Sequence, residues 1–191
     1  MGTLDWLILL AAYLLGSIPS AHIAARALTA DDIHDMGDGN MGAKNTFHSV
    51  GRIAGVVVAI VDVGKGALAV MLAHATGASE TVTFLAGVCV VLGHDFPVTA
   101  GFRGGQGMAT ILGVSFVLFP RETAVAMAVL AVVLLVTHNW NVSCAAAFVV
   151  LVGTMILTGQ ALRRLLYPFV LLPTIAVRKL MQHKGARHAT V

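Results

Sequence analysis

The sequence has very little charge. Only 11% of its 191 residues are Asp, Glu, Lys or Arg, whereas 58% are hydrophobic. A soluble domain carries about 25% charged residues. The chain therefore has too little polar surface to cover a water-soluble globule, and lipid must be the solvent for much of its surface.

Cysteines and recognisable catalytic patterns are also scarce. Cys89 and Cys144 lie in separate apolar runs, which indicates small buried residues rather than a redox or metal-binding pair. The absence of a Walker loop, a G-x-S-x-G elbow and a Ser/His/Asp set argues against P-loop and serine hydrolase chemistry. We predict no cofactor and no metal site, because four of the histidines are scattered along the sequence without metal-ligand spacing. These are His22, His48, His74 and His138.

Seven apolar runs dominate the chain. They cover residues 4–25, 53–75, 82–92, 108–119, 123–137, 142–158 and 165–177. Several are short against the roughly 20 residues of a typical span, which indicates tilted or broken helices. We predict an all-α, polytopic transmembrane bundle of about seven short helices that forms one integral membrane domain over residues 1–191. Pro19 should break the first helix, with Ser17 and Ser20 satisfying the freed carbonyls.

The basic residues predict the orientation of this bundle. With the N-terminus outside, eight basic residues fall in inside loops and three in outside loops, as the positive-inside rule requires. The inside set is Arg26, Lys44, Arg52, Arg103, Arg178, Lys179, Lys184 and Arg187, and the outside set is Arg121, Arg163 and Arg164. A re-entrant hairpin formed by the last two runs would move Arg163 and Arg164 inside. The net charge of +3 then reflects orientation and not nucleic-acid binding.

Two glycine-rich loops share the inner side in this topology. One covers residues 36–45, the other covers residues 93–107, and both lead into helices. Glycine lets neighbouring backbone N–H groups point at one spot, and a helix N-terminus adds further donors and a positive dipole end. Asn40, Asn45, Arg103 and Gln106 add side-chain donors. The pattern predicts a site for phosphate or another oxyanion, and the alternative is a pair of tight turns at the membrane surface.

Ionisable groups inside an apolar run provide a second clue. Asp62 and Lys65 are spaced i, i+3, which places them on one helix face. Charges at that depth are costly unless they are paired or face a polar interior. We predict an ion pair that either forms a wall of the polar site or locks two helices together. His94 is either a site residue or an interfacial turn residue.

These motifs together resemble the bacterial acyl-phosphate:glycerol-3-phosphate acyltransferases. The matching stretches are residues 16–20 (GSIPS), 37–51 (GDGNMGAKNTFHSVG), 62–66 (DVGKG), 93–97 (GHDFP) and 102–110 (FRGGQGMAT). The resemblance covers roughly residues 5–145. It implies a seven-helix protein of the bacterial inner membrane that transfers a fatty acyl group from acyl phosphate to the 1-hydroxyl of glycerol 3-phosphate. The product is lysophosphatidic acid, and no metal, coenzyme A or acyl-enzyme is involved.

The resemblance also implies a set of substrate-binding residues, without identifying a catalytic one. This set is Gly39, Asn40, Gly42, Lys44, Asn45, Lys65, His94, Arg103, Gly104, Gly105, Gln106, Gly107 and Asn141. The expected partners are acyl phosphate, glycerol 3-phosphate and membrane lipid. Acyl-chain preference and oligomeric state stay open.

Several positions depart from the family pattern. Asp38, Lys44, His48, Gln106 and Asn141 stand where the family has Ser, Thr, Arg, Lys and Ser, and the family's C-terminal H-R-x-N-I element has no match. An added carboxylate and a lost cation act against phosphate. Three hypotheses follow: an active acyltransferase, a non-catalytic relative that binds a lipid or phosphorylated headgroup or regulates a partner, and a small transporter.

Overall fold

The structure is a computed structural model that describes residues 1–188, and the side chains of residues 1–178. The side chains of Lys179, Lys184 and Arg187, used above for orientation, lie outside the described residues. Within the described part, all regular secondary structure is helical. The α-helices are α1 (Thr3–Gly16), α2 (Ser20–Thr29), α3 (Ala43–Ser49), α4 (Arg52–Ala75), α5 (Glu80–Asp95), α6 (Met108–Leu118), α7 (Pro120–Thr137), α8 (Trp140–Leu157) and α9 (Leu162–His188).

Each predicted span coincides with a helical segment. Among the described residues, five segments are long and apolar enough to cross a membrane. They are α1 with α2, α4, α5 with the turn that follows it, α7 and α8. The other two predicted spans correspond to α6, which has 11 residues, and to part of α9. The prediction of a polytopic helical membrane protein is confirmed.

The first predicted span is interrupted at Pro19, between α1 and α2. The break frees two carbonyls, and donors from other elements satisfy them. The Thr99 hydroxyl donates to the Ser17 carbonyl, and the Lys65 ammonium donates to the Ile18 carbonyl at 3.1 Å. The prediction that the serines satisfy these carbonyls is confirmed in part. The Ser20 backbone N–H also donates to the Ile18 carbonyl, at 3.1 Å, whereas the hydroxyls of Ser17 and Ser20 donate to the Tyr13 carbonyl and the Asp62 carboxylate.

Small residues allow helices to approach closely in several places. A Cβ on Gly66 would collide with the Thr110 carbonyl, and one on Gly113 would collide with the Val63 carbonyl. These glycines bring the backbones of α4 and α6 together, as expected for helices that lack a hydrophobic driving force in lipid. Gly64, in contrast, has open space where a Cβ would lie.

The chain divides into two compact units. The first contains Met1–Val114 and the described residues from Leu171 onward, and the second is Ser115–Val170. Helices α1, α4 and α5 pack together in the first unit, and α7 packs on α8 in the second. In the second unit the buried Glu122 carboxylate accepts hydrogen bonds from the side chains of Thr158 (2.7 Å) and Gln160 (2.9 Å). A single domain over residues 1–191 stays a prediction.

Candidate functional site

The two glycine-rich loops meet in the first unit. The Nε2 atom of His34, in the 3-10 turn Ile33–Asp35 that leads into the first loop, lies 2.8 Å from the Arg103 carbonyl oxygen of the second loop. A Cβ on Gly105 would lie 2.8 Å from the Met41 carbonyl oxygen. The predicted convergence of the two loops is therefore confirmed.

Asn45 holds the first loop in shape. Its side chain is buried, and its amide nitrogen donates to three backbone carbonyls at 3.3, 2.9 and 3.1 Å. These acceptors belong to Ile33, Met36 and Asn40. Its amide oxygen accepts from the Asp38 backbone N–H and from the Ser49 hydroxyl. The polar atoms of Asn45 thus bond within the protein, which assigns it to positioning the loop.

Asp38 closes a turn within the same loop. Its carboxylate accepts the Asn40 backbone N–H at 3.0 Å, an Asx-type turn that a serine hydroxyl can also make. The amides of Gly39 and Gly42 donate to the carbonyls of Met36 and Asn40, each at 2.9 Å. The prediction that these glycine amides point toward an anion is therefore wrong, because the turns of the loop use them first.

The second loop is pinned to the C-terminal end of α5. The backbone N–H groups of Gly104 and Gly105 donate to the carbonyls of Asp95 and His94, each at 3.2 Å. A Cβ on Gly104 would collide with the His94 carbonyl, so this position requires glycine for close approach. These two amides are therefore also engaged within the protein. Helix α6 begins directly after Gly107.

Arg178 completes this loop, and sequence reasoning did not place it in the site. Its buried guanidinium donates to the carbonyls of Gly104 and Gly105. It also lies over the Phe96 ring, 5.5 Å from the ring centroid. The sequence places Arg178 at the basic end of the last apolar run, a pattern that indicates only orientation. The contact with the loop depends on how α9 packs.

A buried polar cluster lies beside the loops. The Lys65 ammonium is 2.9 Å from the Asp62 carboxylate, and both side chains are almost fully buried. The predicted ion pair is confirmed. Since Lys65 also donates to the Ile18 carbonyl, the pair locks α4 to the break between α1 and α2. His94 lies 3.6 Å from the same Asp62 oxygen, and its Nε2 atom abuts Gly105.

A serine, an aspartate and a histidine are brought together here, although no such set is recognisable in the sequence. Ser20 donates to the Asp62 carboxylate at 2.6 Å, and His94 approaches the same oxygen. In a nucleophilic triad the histidine stands between serine and carboxylate. Here the carboxylate is in the middle, so Ser20 has no adjacent base and the arrangement does not activate it as a nucleophile.

The other predicted site residues have different environments. Lys44 and Arg103 are exposed, and Gln106 is half-buried. Asn141 lies in the first turn of α8, in the second unit, where its side chain is exposed and its backbone N–H donates to Asn139. The roles of these residues in substrate binding stay predictions.

Asp95 is a buried carboxylate that the sequence analysis did not select. It is fully buried, and neither carboxylate oxygen has a hydrogen-bond donor among the described residues. Its neighbour Thr174 donates instead to the Leu171 carbonyl at 2.8 Å. A Cβ on Gly107 would lie 2.7 Å from the Asp95 carboxylate. Asp95 thus lies where the second loop turns into α6.

An apolar groove runs between α1 and α4. It has a volume of about 610 Å³ and is lined by residues that include Leu7, Leu15, Ile18 and Leu72. Ile18 connects the groove to the polar cluster, because its carbonyl accepts the hydrogen bond from Lys65. The groove therefore reaches Ile18, whose carbonyl contacts the buried ion pair through Lys65.

Comparison with known proteins agrees with this architecture. A family model described as glycerol-3-phosphate acyltransferase matches residues 6–189, which is further than the motifs alone extend. Glycerol-3-phosphate acyltransferase 4 of Dehalococcoides mccartyi is 40% identical over 153 residues, covering 80% of this chain and 83% of that protein. Glycerol-3-phosphate acyltransferase of Zymomonas mobilis is 45% identical over 112 residues, which is 54% of this chain and 53% of the relative.

Solved structures show the same similarity. The glycerol 3-phosphate form of PlsY (YgiH), an integral membrane glycerol 3-phosphate acyltransferase, superposes with a TM-score of 0.84 at 28% identity, covering 97% of this chain and 92% of that one. Its lysophosphatidic acid form gives a TM-score of 0.81 with the same coverage. The chain belongs to the glycerol-3-phosphate acyltransferase family of integral membrane proteins.

Proposed function

We propose that this protein transfers a fatty acyl group from acyl phosphate to the 1-hydroxyl of glycerol 3-phosphate in the bacterial inner membrane. The products are lysophosphatidic acid and inorganic phosphate. The observation that carries this proposal is the meeting of the two glycine-rich loops beside the buried cluster of Asp62, Lys65 and His94.

The reaction suits a site that lacks an activated nucleophile. The glycerol hydroxyl oxygen attacks the acyl carbonyl carbon, the bond to phosphate oxygen breaks, and phosphate leaves with the bonding electrons and takes up the hydroxyl proton. The acyl group is already activated as a mixed anhydride. The protein therefore has to position the two substrates and stabilise the developing negative charge.

Three cations can provide that stabilisation. Lys65 is buried in the polar cluster, Arg178 is buried against the second loop, and Arg103 is exposed on the same loop. Since both substrates carry phosphate, this positive charge favours their binding. We assign the first turn of α6 to a phosphate group because a helix N-terminus offers unpaired N–H donors.

The apolar groove between α1 and α4 is the proposed place for the acyl chain. Its position beside Ile18 brings the end of the chain next to Lys65. A fatty chain in this groove would place its polar head at the ion pair, where the acyl-phosphate carbonyl must lie for transfer.

The departures from the family pattern support one alternative, a relative that binds phosphate but does not catalyse acyl transfer. Gln106 in place of a family lysine removes a cation, which favours a relative that binds phosphate without turnover. Asp38 is less of an obstacle, because its carboxylate accepts a backbone N–H inside the loop. Measured turnover distinguishes the two functions directly.

The test uses purified protein in lipid nanodiscs with acyl phosphate and glycerol 3-phosphate. We expect equal amounts of phosphate and lysophosphatidic acid, and a loss of both in Gly104→Ala, since a methyl group there collides with the His94 carbonyl. His74→Gln, at an exposed position at the end of α4, is the control and should be fully active. Binding of either substrate without any product would reject the enzyme and support the alternative.

A further inference from the structure

A second cluster of titratable side chains lies apart from the buried ion pair. It consists of His22 from α2, with Asp32 and His34 from the turn that precedes the first glycine loop. One potential ligand atom from each residue lies within 4.8 Å of the others. The Asp32 Oδ1 atom is 3.4 Å from His22 Nδ1 and 2.8 Å from His34 Nδ1.

Both ring nitrogens of His34 face atoms that accept hydrogen bonds. Nε2 is 2.8 Å from the Arg103 carbonyl oxygen, which can only accept, so Nε2 carries a hydrogen. Nδ1 is 2.8 Å from the Asp32 carboxylate, which also only accepts when ionised. A neutral imidazole has one N–H group. With its hydrogen on Nε2, a neutral imidazole directs the Nδ1 lone pair at the Asp32 carboxylate, and this arrangement of two electron-pair donors suits a cation.

His22 adds a third lone pair directed at the same place. Its Nδ1 atom is buried and has no hydrogen-bond partner among the described residues. The backbone N–H of His34 lowers the pKa of Asp32 to about 2, aided by both histidine rings and opposed by partial burial. This backbone N–H donates to Asp32 Oδ1 at 3.0 Å and holds the carboxylate in place. Arg26 approaches its other oxygen, Oδ2, at 3.9 Å, which leaves Oδ1 to the histidines.

We propose that His22, Asp32 and His34 bind one divalent transition-metal ion of the zinc type. Imidazole and carboxylate are suitable ligands for zinc, and three protein ligands leave a fourth position for water. Ligands about 2.0–2.1 Å from a tetrahedral ion lie roughly 3.4 Å apart. The separation of 3.4 Å between His22 and Asp32 fits this value, and the pair of His34 and Asp32 has to open by about 0.6 Å through side-chain rotation.

The hydrogen bond between His34 Nε2 and the Arg103 carbonyl connects the proposed metal site to the second glycine loop. Histidines that bind metals usually donate their other N–H to a carbonyl or carboxylate, which fixes the ring and its tautomer. His34 does this with the Arg103 carbonyl. The ion would connect α2 to the first loop and, through His34, to the second loop. It would act as a clamp on the phosphate site and would not contact the substrates.

Sequence spacing did not predict this site. His22 is ten residues away from Asp32, and the sequence contains no sign that the chain reverses between them. The expectation of no metal site rested on histidine spacing and on the family resemblance, which implies a reaction without a metal. The proposed site lies outside the reaction and depends on the return of the chain after α2.

The experiment measures metal binding by full-length protein in nanodiscs, purified without a polyhistidine tag and stripped with a chelator. Co²⁺ is titrated while its visible spectrum is recorded, followed by displacement with Zn²⁺. We expect one equivalent per chain, a four-coordinate cobalt spectrum, and a Zn²⁺-dependent rise in melting temperature. Asp32→Asn and His22→Gln should each weaken binding at least tenfold and remove the rise in melting temperature.

Asp35→Asn and His74→Gln are the matched controls, since both positions are exposed and outside the cluster. They should bind Co²⁺ like the unchanged protein. If Asp32→Asn fails to fold, His22→Gln decides the outcome. Absence of a four-coordinate cobalt spectrum in the unchanged protein, or its persistence in His22→Gln, would overturn the proposal. Because the readouts require no substrate, a failed acyl-transfer assay would not affect them.

Discussion

At the residue scale, Asn45 shows how one amide can determine the shape of a binding loop. It bonds to three carbonyls and accepts from two donors, all in or beside the first glycine loop. In Asn45→Ala the three carbonyls keep their backbone donors, but the loop loses the hydrogen bonds of the amide, each of which contributes about 0.5–1.5 kcal/mol net. We expect Asn45→Ala to raise the KM for glycerol 3-phosphate at least tenfold and to lower the melting temperature.

The matched change is Ser49→Ala, which removes only one of these hydrogen bonds. Its KM should stay within a few-fold of the unchanged protein. Equal KM values for Asn45→Ala and the unchanged protein would show that the loop does not depend on Asn45.

Lys65 provides a second test at the same scale. Lys65→Met leaves the Asp62 carboxylate buried without its cation, and breaking a buried pair in this way costs about 3–5 kcal/mol. We expect loss of acyl transfer and a clear drop in melting temperature. Lys44→Met removes an exposed lysine and should leave the melting temperature unchanged.

A double variant separates the two contributions of this ion pair. Asp62→Asn combined with Lys65→Met removes both charges, so it should recover much of the stability lost in Lys65→Met while acyl transfer stays absent. Full activity in the double variant would show that the pair has only a structural role.

At the element scale, α4 connects the first unit through close packing at glycine. Gly66→Ala places a methyl group against the Thr110 carbonyl of α6, whereas Gly64→Ala places it in open space on the same helix. Overpacking of this kind costs about 1–3 kcal/mol. We expect Gly66→Ala to lower the melting temperature by several degrees, and Gly64→Ala to leave it unchanged or slightly raised because alanine favours helix. Equal melting temperatures would contradict the packing of α6 on α4.

The elements also show which parts of the fold are predictable from composition. The seven apolar runs correspond to helical segments, and the break at Pro19 lies where the sequence predicts it, because helix length and proline chemistry are local properties. The partners of the freed carbonyls, Thr99 and Lys65, come from later elements. No local pattern identifies them.

At the scale of the whole molecule, the length of α4 predicts on which side of the membrane the glycine loops lie. Its 24 residues span about 36 Å at 1.5 Å per residue, which exceeds the roughly 30 Å hydrocarbon core. Its two ends should therefore lie on opposite sides of the membrane.

Cysteine labelling tests this orientation. In a background with Cys89→Ala and Cys144→Ala, we expect Lys44→Cys and Arg103→Cys to react with an impermeant thiol reagent from the cytoplasmic side only. Thr76→Cys should react from the outside only. Labelling of positions 44 and 103 from opposite sides would contradict a shared site.

By itself, the sequence determined the membrane environment, the approximate positions of the apolar helices, the ion pair of Asp62 and Lys65, and the family. Each depends on composition or on spacing along one helix. Only the tertiary structure decided which amides of the glycine loops remain available, that Arg178 holds the second loop, and that His22 meets Asp32 and His34. Hydrogen-bond partners and metal ligands require atoms within a few ångströms of each other, and the return of the chain between helices decides which distant residues come that close.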